Sequence, residues 1–110
     1  MKLTNEAKDL IEEIKETGAE VKNGFVTLYH RTDVNGFEGI KKLKYFVGKE
    51  DGIFFSTLKN GQADGYGNSI VKVKIHANYL EIDDIFENEA HLRVVLKKPG
   101  EKFFNFTFLK

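Results

Sequence analysis

Behind one amphipathic stretch, the chain is cut by glycine, asparagine and proline turns into short β-prone runs, which restricts it to a small sheet with helices packed beside it. Leu3, Ala7, Leu10, Ile11 and Ile14 recur at three- and four-residue steps, while Glu12, Glu13, Lys15 and Glu16 fall on the opposite side. This period predicts a helix over 4–17. Thr4 or Asn5 can accept from its first amides, and Gly18 can supply the left-handed residue beyond its end.

Asn23-Gly24 separates Ala19 to Lys22 from Phe25-Val26-Thr27-Leu28-Tyr29, and Asn-Gly suits a tight type I′ hairpin turn. The second run delivers Tyr29 and His30 at its end. Val34, Phe37, Ile40 and Leu43 repeat every three residues and predict a short helix capped by Thr32 or Asp33, although Gly36 and Gly39 weaken it. Ile53-Phe54-Phe55-Ser56-Thr57 has the make-up of a buried strand ending in hydroxyls. The Gly-rich stretch 58–68 reads as an irregular loop. Residues 70–76 alternate, with Val71, Val73 and Ile75 on one side and Lys72, Lys74 and His76 on the solvated side. The run 79–86 leads to a polar turn, 91–96 is a further strand, Pro99-Gly100 is a turn, and Phe104, Phe106 and Phe108 form the core side of a last strand. Helices at the front followed by strands predict an α+β fold in one domain, with a helix over 1–18 and a core over 19–110. A dinucleotide-binding βαβ fold would need a glycine fingerprint after its first strand, and none is present.

With 110 residues, 41% of them hydrophobic and ten of them Phe, there is material for one core and no more. Seventeen basic and seventeen acidic residues cancel, and apart from a mildly basic stretch over 41–49 neither sign is strongly segregated along the chain. Nucleic acid is therefore an unlikely partner. The chain has no Cys, which excludes disulfides, thiolate metal sites and a cysteine nucleophile. The charged start and the lack of a long apolar run point to a cytoplasmic protein with no membrane segment.

His30 at a strand end, Tyr66 in a Gly-rich loop and acids around Glu87 and Glu89 are the residue types needed to cleave a nicotinamide–ribose bond. That bond breaks through a cationic ribose. A hydrogen-bonding group fixes the sugar, a ring stacks on nicotinamide, and a carboxylate stabilises the cation or orients the acceptor. Three separated His without ligand spacing do not make a metal site, and no nucleophile elbow surrounds Ser56.

Leu28-Tyr29-His30-Arg31-Thr32, then Gly52 to Thr57, Ala63 to Gly67 and Val71 to Ile75 resemble, in order and spacing, the small bacterial and phage ADP-ribosyltransferase-like domains. The resemblance spans 25–96. It implies a split, mostly antiparallel β core that clamps NAD as a substrate and transfers ADP-ribose to a protein or nucleotide acceptor. It further implies a cleft contributed by Tyr29, His30, Arg31, Thr32, Ser56, Thr57 and Tyr66. In it His30 holds the ribose, Arg31 can pair with a phosphate, Ser56 and Thr57 shape the floor, and Tyr66 stacks on nicotinamide. The catalytic acid is Glu89 by its place before a strand, with Glu81, Asp83, Asp84 and Glu87 as alternatives.

Plainer readings stand beside these. A strand-end histidine bonded to backbone accounts for His30, a loop aromatic for Tyr66, a solvated face for the acids, and surface positions for His76 and His91. On the level of function, the alternatives are a binding or inhibitor module on the same fold and an RNA 2′-phosphotransferase-like activity. The latter calls for several cleft arginines, whereas this chain has Arg31 and Arg93 alone.

Overall fold

The structure, a computed structural model, describes residues 2–48, 51–59 and 69–109. Helix α1 is Asn5–Lys15. Thr4 caps it, its hydroxyl accepting from the Ala7 amide at 3.0 Å, and Gly18 follows its last turn at φ 85°. Ala7, Leu10, Ile11 and Ile14 are its buried side chains, so the periodic stripe is the packed face.

Strands β1 (Val21–Lys22) and β2 (Phe25–Thr32) form the expected hairpin. Asn23 and Gly24 take φ 53° and 82°, the double left-handed pair of a type I′ turn. The first strand is shorter than its sequence run and the second runs two residues past His30. Helix α2 is Val34–Leu43, and of its two candidate caps it uses Asp33, whose carboxylate accepts from the Gly36 amide at 2.7 Å. A Cβ on Gly36 would lie 2.1 Å from the Thr32 hydroxyl. At the glycine that weakens the helical pattern, a larger residue would thus have to displace the Thr32 side chain.

Strands β3 (Phe46–Val47), β4 (Ile53–Ser56), β5 (Ser69–His76), β6 (Leu80–Ile85), β7 (Ala90–Val94), β8 (Lys102–Phe103) and β9 (Phe106–Leu109) complete the fold. The main sheet runs β6-β7-β4-β2-β5-β9 with β1 beside β2, and β3 pairs β8 in a small second sheet. Every pairing is antiparallel. The α+β class and the antiparallel character agree with the sequence reading.

Register assigns the faces, because directly paired residues share a side and neighbours along a strand alternate. On the inner face are Val26 and Leu28 of β2, Phe55 of β4, Val71 and Val73 of β5 and Leu92 of β7. They form one core with the α1 stripe and with Phe46 and Phe103 of the small sheet. The outer face carries Phe25, Thr27, Tyr29 and Arg31 of β2, Lys72, Lys74 and His76 of β5, Phe54 and Ser56 of β4, and His91 and Arg93 of β7.

Two sequence expectations are corrected by this arrangement. Phe104 is 58% exposed, because a turn closed by the Phe106 amide on the Phe104 carbonyl at 2.8 Å precedes β9 and leaves Phe104 outside the alternation. His76, expected at the surface, is buried, with its Nδ1 accepting from the Asn78 amide at 3.2 Å and Phe25 edge-on at 5.0 Å. The cause is the hairpin turn folded over the end of β5, where the Ala77 amide donates to the Gly24 carbonyl at 2.9 Å. Among the described residues no helix is long and apolar enough to cross a membrane.

Candidate functional site

The β4–β7 pairing sets Ser56 opposite His91. Glu89 precedes His91 by two positions, in a turn closed by the Phe86 amide on the Glu89 carbonyl at 2.8 Å, and its side chain returns to the outer face. Ser56 Oγ donates to Glu89 Oε2 at 2.6 Å, and His91 Nε2 lies 2.9 Å from the same oxygen. The backbone around this contact is held from both sides. Thr57 Oγ1 accepts from the Ala90 amide at 2.9 Å, and the Thr57 amide donates to the Ala90 carbonyl at 3.0 Å. Ser56 Oγ also accepts from the Leu58 amide at 3.0 Å, a local turn that ends β4.

Glu89 is 3% exposed and Ser56 2%. Removing a carboxylate from water costs several kcal/mol, roughly, unless charge-assisted bonds offset it, and a 2.6 Å O–H···O contact falls in the range of such bonds. The Phe86 ring lies edge-on to His91 at 5.2 Å and closes one side. The other acidic candidates differ: Asp83, Asp84 and Glu87 are exposed, and Glu81 faces Arg93 Nε at 3.4 Å with a largely exposed side chain. The solvated-face reading therefore holds for four of the five acids and fails for Glu89.

Tyr29 pairs with Ser56 across β2 and β4, so it shares the outer face with the carboxylate. Lys72 Nζ lies 5.9 Å from the centre of its ring. Arg31, also on that face, donates from Nη2 to the Lys59 carbonyl at 3.0 Å, which ties the segment after β4 back over the sheet. Phe54, one alternation from Ser56, is 41% exposed. His30 belongs to the opposite face: its Nδ1–H donates to the Phe54 carbonyl at 2.7 Å, and its ring lies against Phe46 and Phe55 at 5.1 and 5.4 Å. By alternation Thr32 and Thr57 share the His30 side. Tyr66 lies outside the described residues.

The described residues thus gather Tyr29, Ser56 and Glu89 into one cluster and separate His30 from it by the thickness of the sheet. Sequence reasoning missed His91, which is a cluster member and not a surface residue. The signal was present, since a Glu-x-His spacing at a strand start puts both side chains on one face. It missed Phe54 as well, because a run of apolar letters does not say which of two adjacent phenylalanines is outside. No group of three or more metal-ligating side chains converges among the described residues. Compared with family models, curated proteins and solved structures, the chain has no significant match.

Proposed function

We propose that this chain binds NAD on the outer face around Tyr29, Phe54, Ser56 and Glu89 and acts as a mono-ADP-ribosyltransferase-like enzyme. The observation that carries the reading is the carboxylate of Glu89, buried at the junction of adjoining strands and bonded through one oxygen to both Ser56 and His91. A carboxylate fixed in this way suits cation stabilisation. As the bond from nicotinamide nitrogen to ribose C1′ breaks, its electron pair leaves with nicotinamide, and a preorganised negative group offsets the positive charge left on the sugar. The acceptor then forms the new bond to C1′ and gives up its proton.

The other groups have supporting roles in this reading. Tyr29 and Phe54 present aromatic surface on the carboxylate's face, and a ring of that kind stacks on a planar pyridine. His30 acts as a positioning residue: it fixes the Phe54 carbonyl from beneath and wedges its ring between Phe46 and Phe55. The order of Tyr29-His30-Arg31-Thr32, Phe54-Phe55-Ser56-Thr57 and Glu89 remains the sequence support for this superfamily. The antiparallel core, with a small sheet apart from the main one, is compatible with it.

A second reading has its own observation. At 3% exposure Glu89 meets almost no solvent, which also suits a carboxylate that only ties β7 to β4 in a binding or inhibitor module. Incubation with labelled NAD and cell lysate, alongside Glu89→Gln and His30→Ala, separates the two. The enzyme reading expects transferred label or released nicotinamide that disappears in Glu89→Gln. A folded protein that neither binds nor consumes NAD rules it out.

A further inference from the structure

The charges of the outer face are divided by strand. On that face β2, β5 and β9 carry Arg31, Lys72 and Lys74 and no carboxylate, while Glu81 and Glu89 lie on the β6–β7 side, where Arg93 faces Glu81. Lys22 of β1, paired with Phe25, adds another cation. Lys72 and Lys74 follow one another along β5 at a spacing of about 7 Å, twice the rise per residue. Lys74 pairs with Thr27 on one side and Thr107 on the other. Thr107 also lines an open pocket of about 260 Å³ at the end of the sheet, together with Phe25, Phe104, Asn105 and His76. Two of the walls are exposed rings, Phe25 at 39% and Phe104 at 58%. Asn105 and Thr107 add hydrogen-bonding groups at the rim.

We infer that this half of the outer face binds a single-stranded nucleic acid. Its phosphates lie along Lys72 and Lys74, and one base enters the pocket between Phe25 and Phe104. The chemistry is that of a strand-binding platform: cations track the backbone, aromatic rings stack bases of any sequence, and an amide reads a base edge. A protein acceptor meets no comparable fit, because a cationic track beside an aromatic slot matches alternating phosphates and bases better than a peptide. A strand so placed runs along β5, two strands away from Ser56. The inference concerns binding in the absence of NAD and does not depend on the proposed transfer reaction.

The test is fluorescence anisotropy of the full chain with a labelled single-stranded 12-mer, as DNA and as RNA, between 50 and 200 mM salt, roughly the range in which phosphate contacts are resolved. Lys72→Gln/Lys74→Gln is expected to reduce the slope of log K against log salt by about 1.4, at roughly 0.7 per phosphate on a single strand. Phe104→Ala is expected to weaken binding about 5- to 150-fold with the slope unchanged, the loss of one stacked base. Circular dichroism melts check that both variants fold, and Glu89→Gln is expected to bind the strand normally even if it abolishes NAD turnover. Absence of binding at 50 mM salt, a slope unaltered in the double lysine variant, equal competition by polyglutamate, or tighter binding of duplex would each overturn the inference.

Discussion

Substitution of Ser56 by Ala isolates the contact on which the site depends. The hydroxyl donates to Glu89 Oε2 at 2.6 Å and accepts from the Leu58 amide at 3.0 Å, and both Ser56 and Glu89 are almost fully buried. A hydrogen bond to a charged group contributes about 1.5–3 kcal/mol, and the turn bond to Leu58 adds about 0.5–1. Ser56→Ala is therefore expected to lower stability by about 2–4 kcal/mol, a large share of the roughly 5–15 kcal/mol of a typical domain. Urea unfolding with an unchanged m-value measures it. The same substitution in a Glu89→Gln background removes only a neutral bond and is expected to cost about 1–2 kcal/mol less. If Ser56→Ala has the same effect in both backgrounds within about 0.5 kcal/mol, the carboxylate's charge is not what the serine stabilises, and the physical account of the site fails.

Other perturbations test the scaffold. Gly24→Ala places a Cβ 2.9 Å from His76 Nε2 at a φ of +82° and is expected to cost about 1–3 kcal/mol in thermal or urea unfolding, the left-handed strain alone being about 1–2; a loss below about 0.5 would show that the hairpin is not pinned over His76. Leu28→Ala, at a fully buried position on the inner face of β2 opposite Val73, should lose about 2–5 kcal/mol by calorimetry. Asp33→Ala removes the α2 cap and should cost about 0.5–2 kcal/mol, with amide exchange accelerating first at Gly36.

Much of the scaffold was legible because it rests on local chemistry. The 3.6-residue stripe of α1, the Asn23-Gly24 turn, a cap for α2 at Thr32 or Asp33 and the alternation of 70–76 are each fixed by neighbours a few residues away, and the structure contains all four, with Asp33 as the cap. The small sheet was not legible, since Phe46 and Phe103 pair across more than half the chain and neither two-residue strand carries a period. Phe104 was misplaced for a different, local reason: its alternation with Phe106 and Phe108 is in the letters, but a turn between Phe104 and Phe106 interrupts it.

For the site, the sequence by itself determined the candidates and their order: the tetrapeptide ending at Thr32, the hydroxyls after Phe55, and Glu89 ahead of a strand. Tertiary structure alone decided which of them meet. Antiparallel register is a long-range property, and a shift of one residue sends every side chain to the other face. That register brings Tyr29, Ser56, Glu89 and His91 together, turns His30 toward Phe46, and collects Lys72, Lys74 and Arg31 on one half of a face, although Arg31 lies some forty residues from the lysines along a neutral chain.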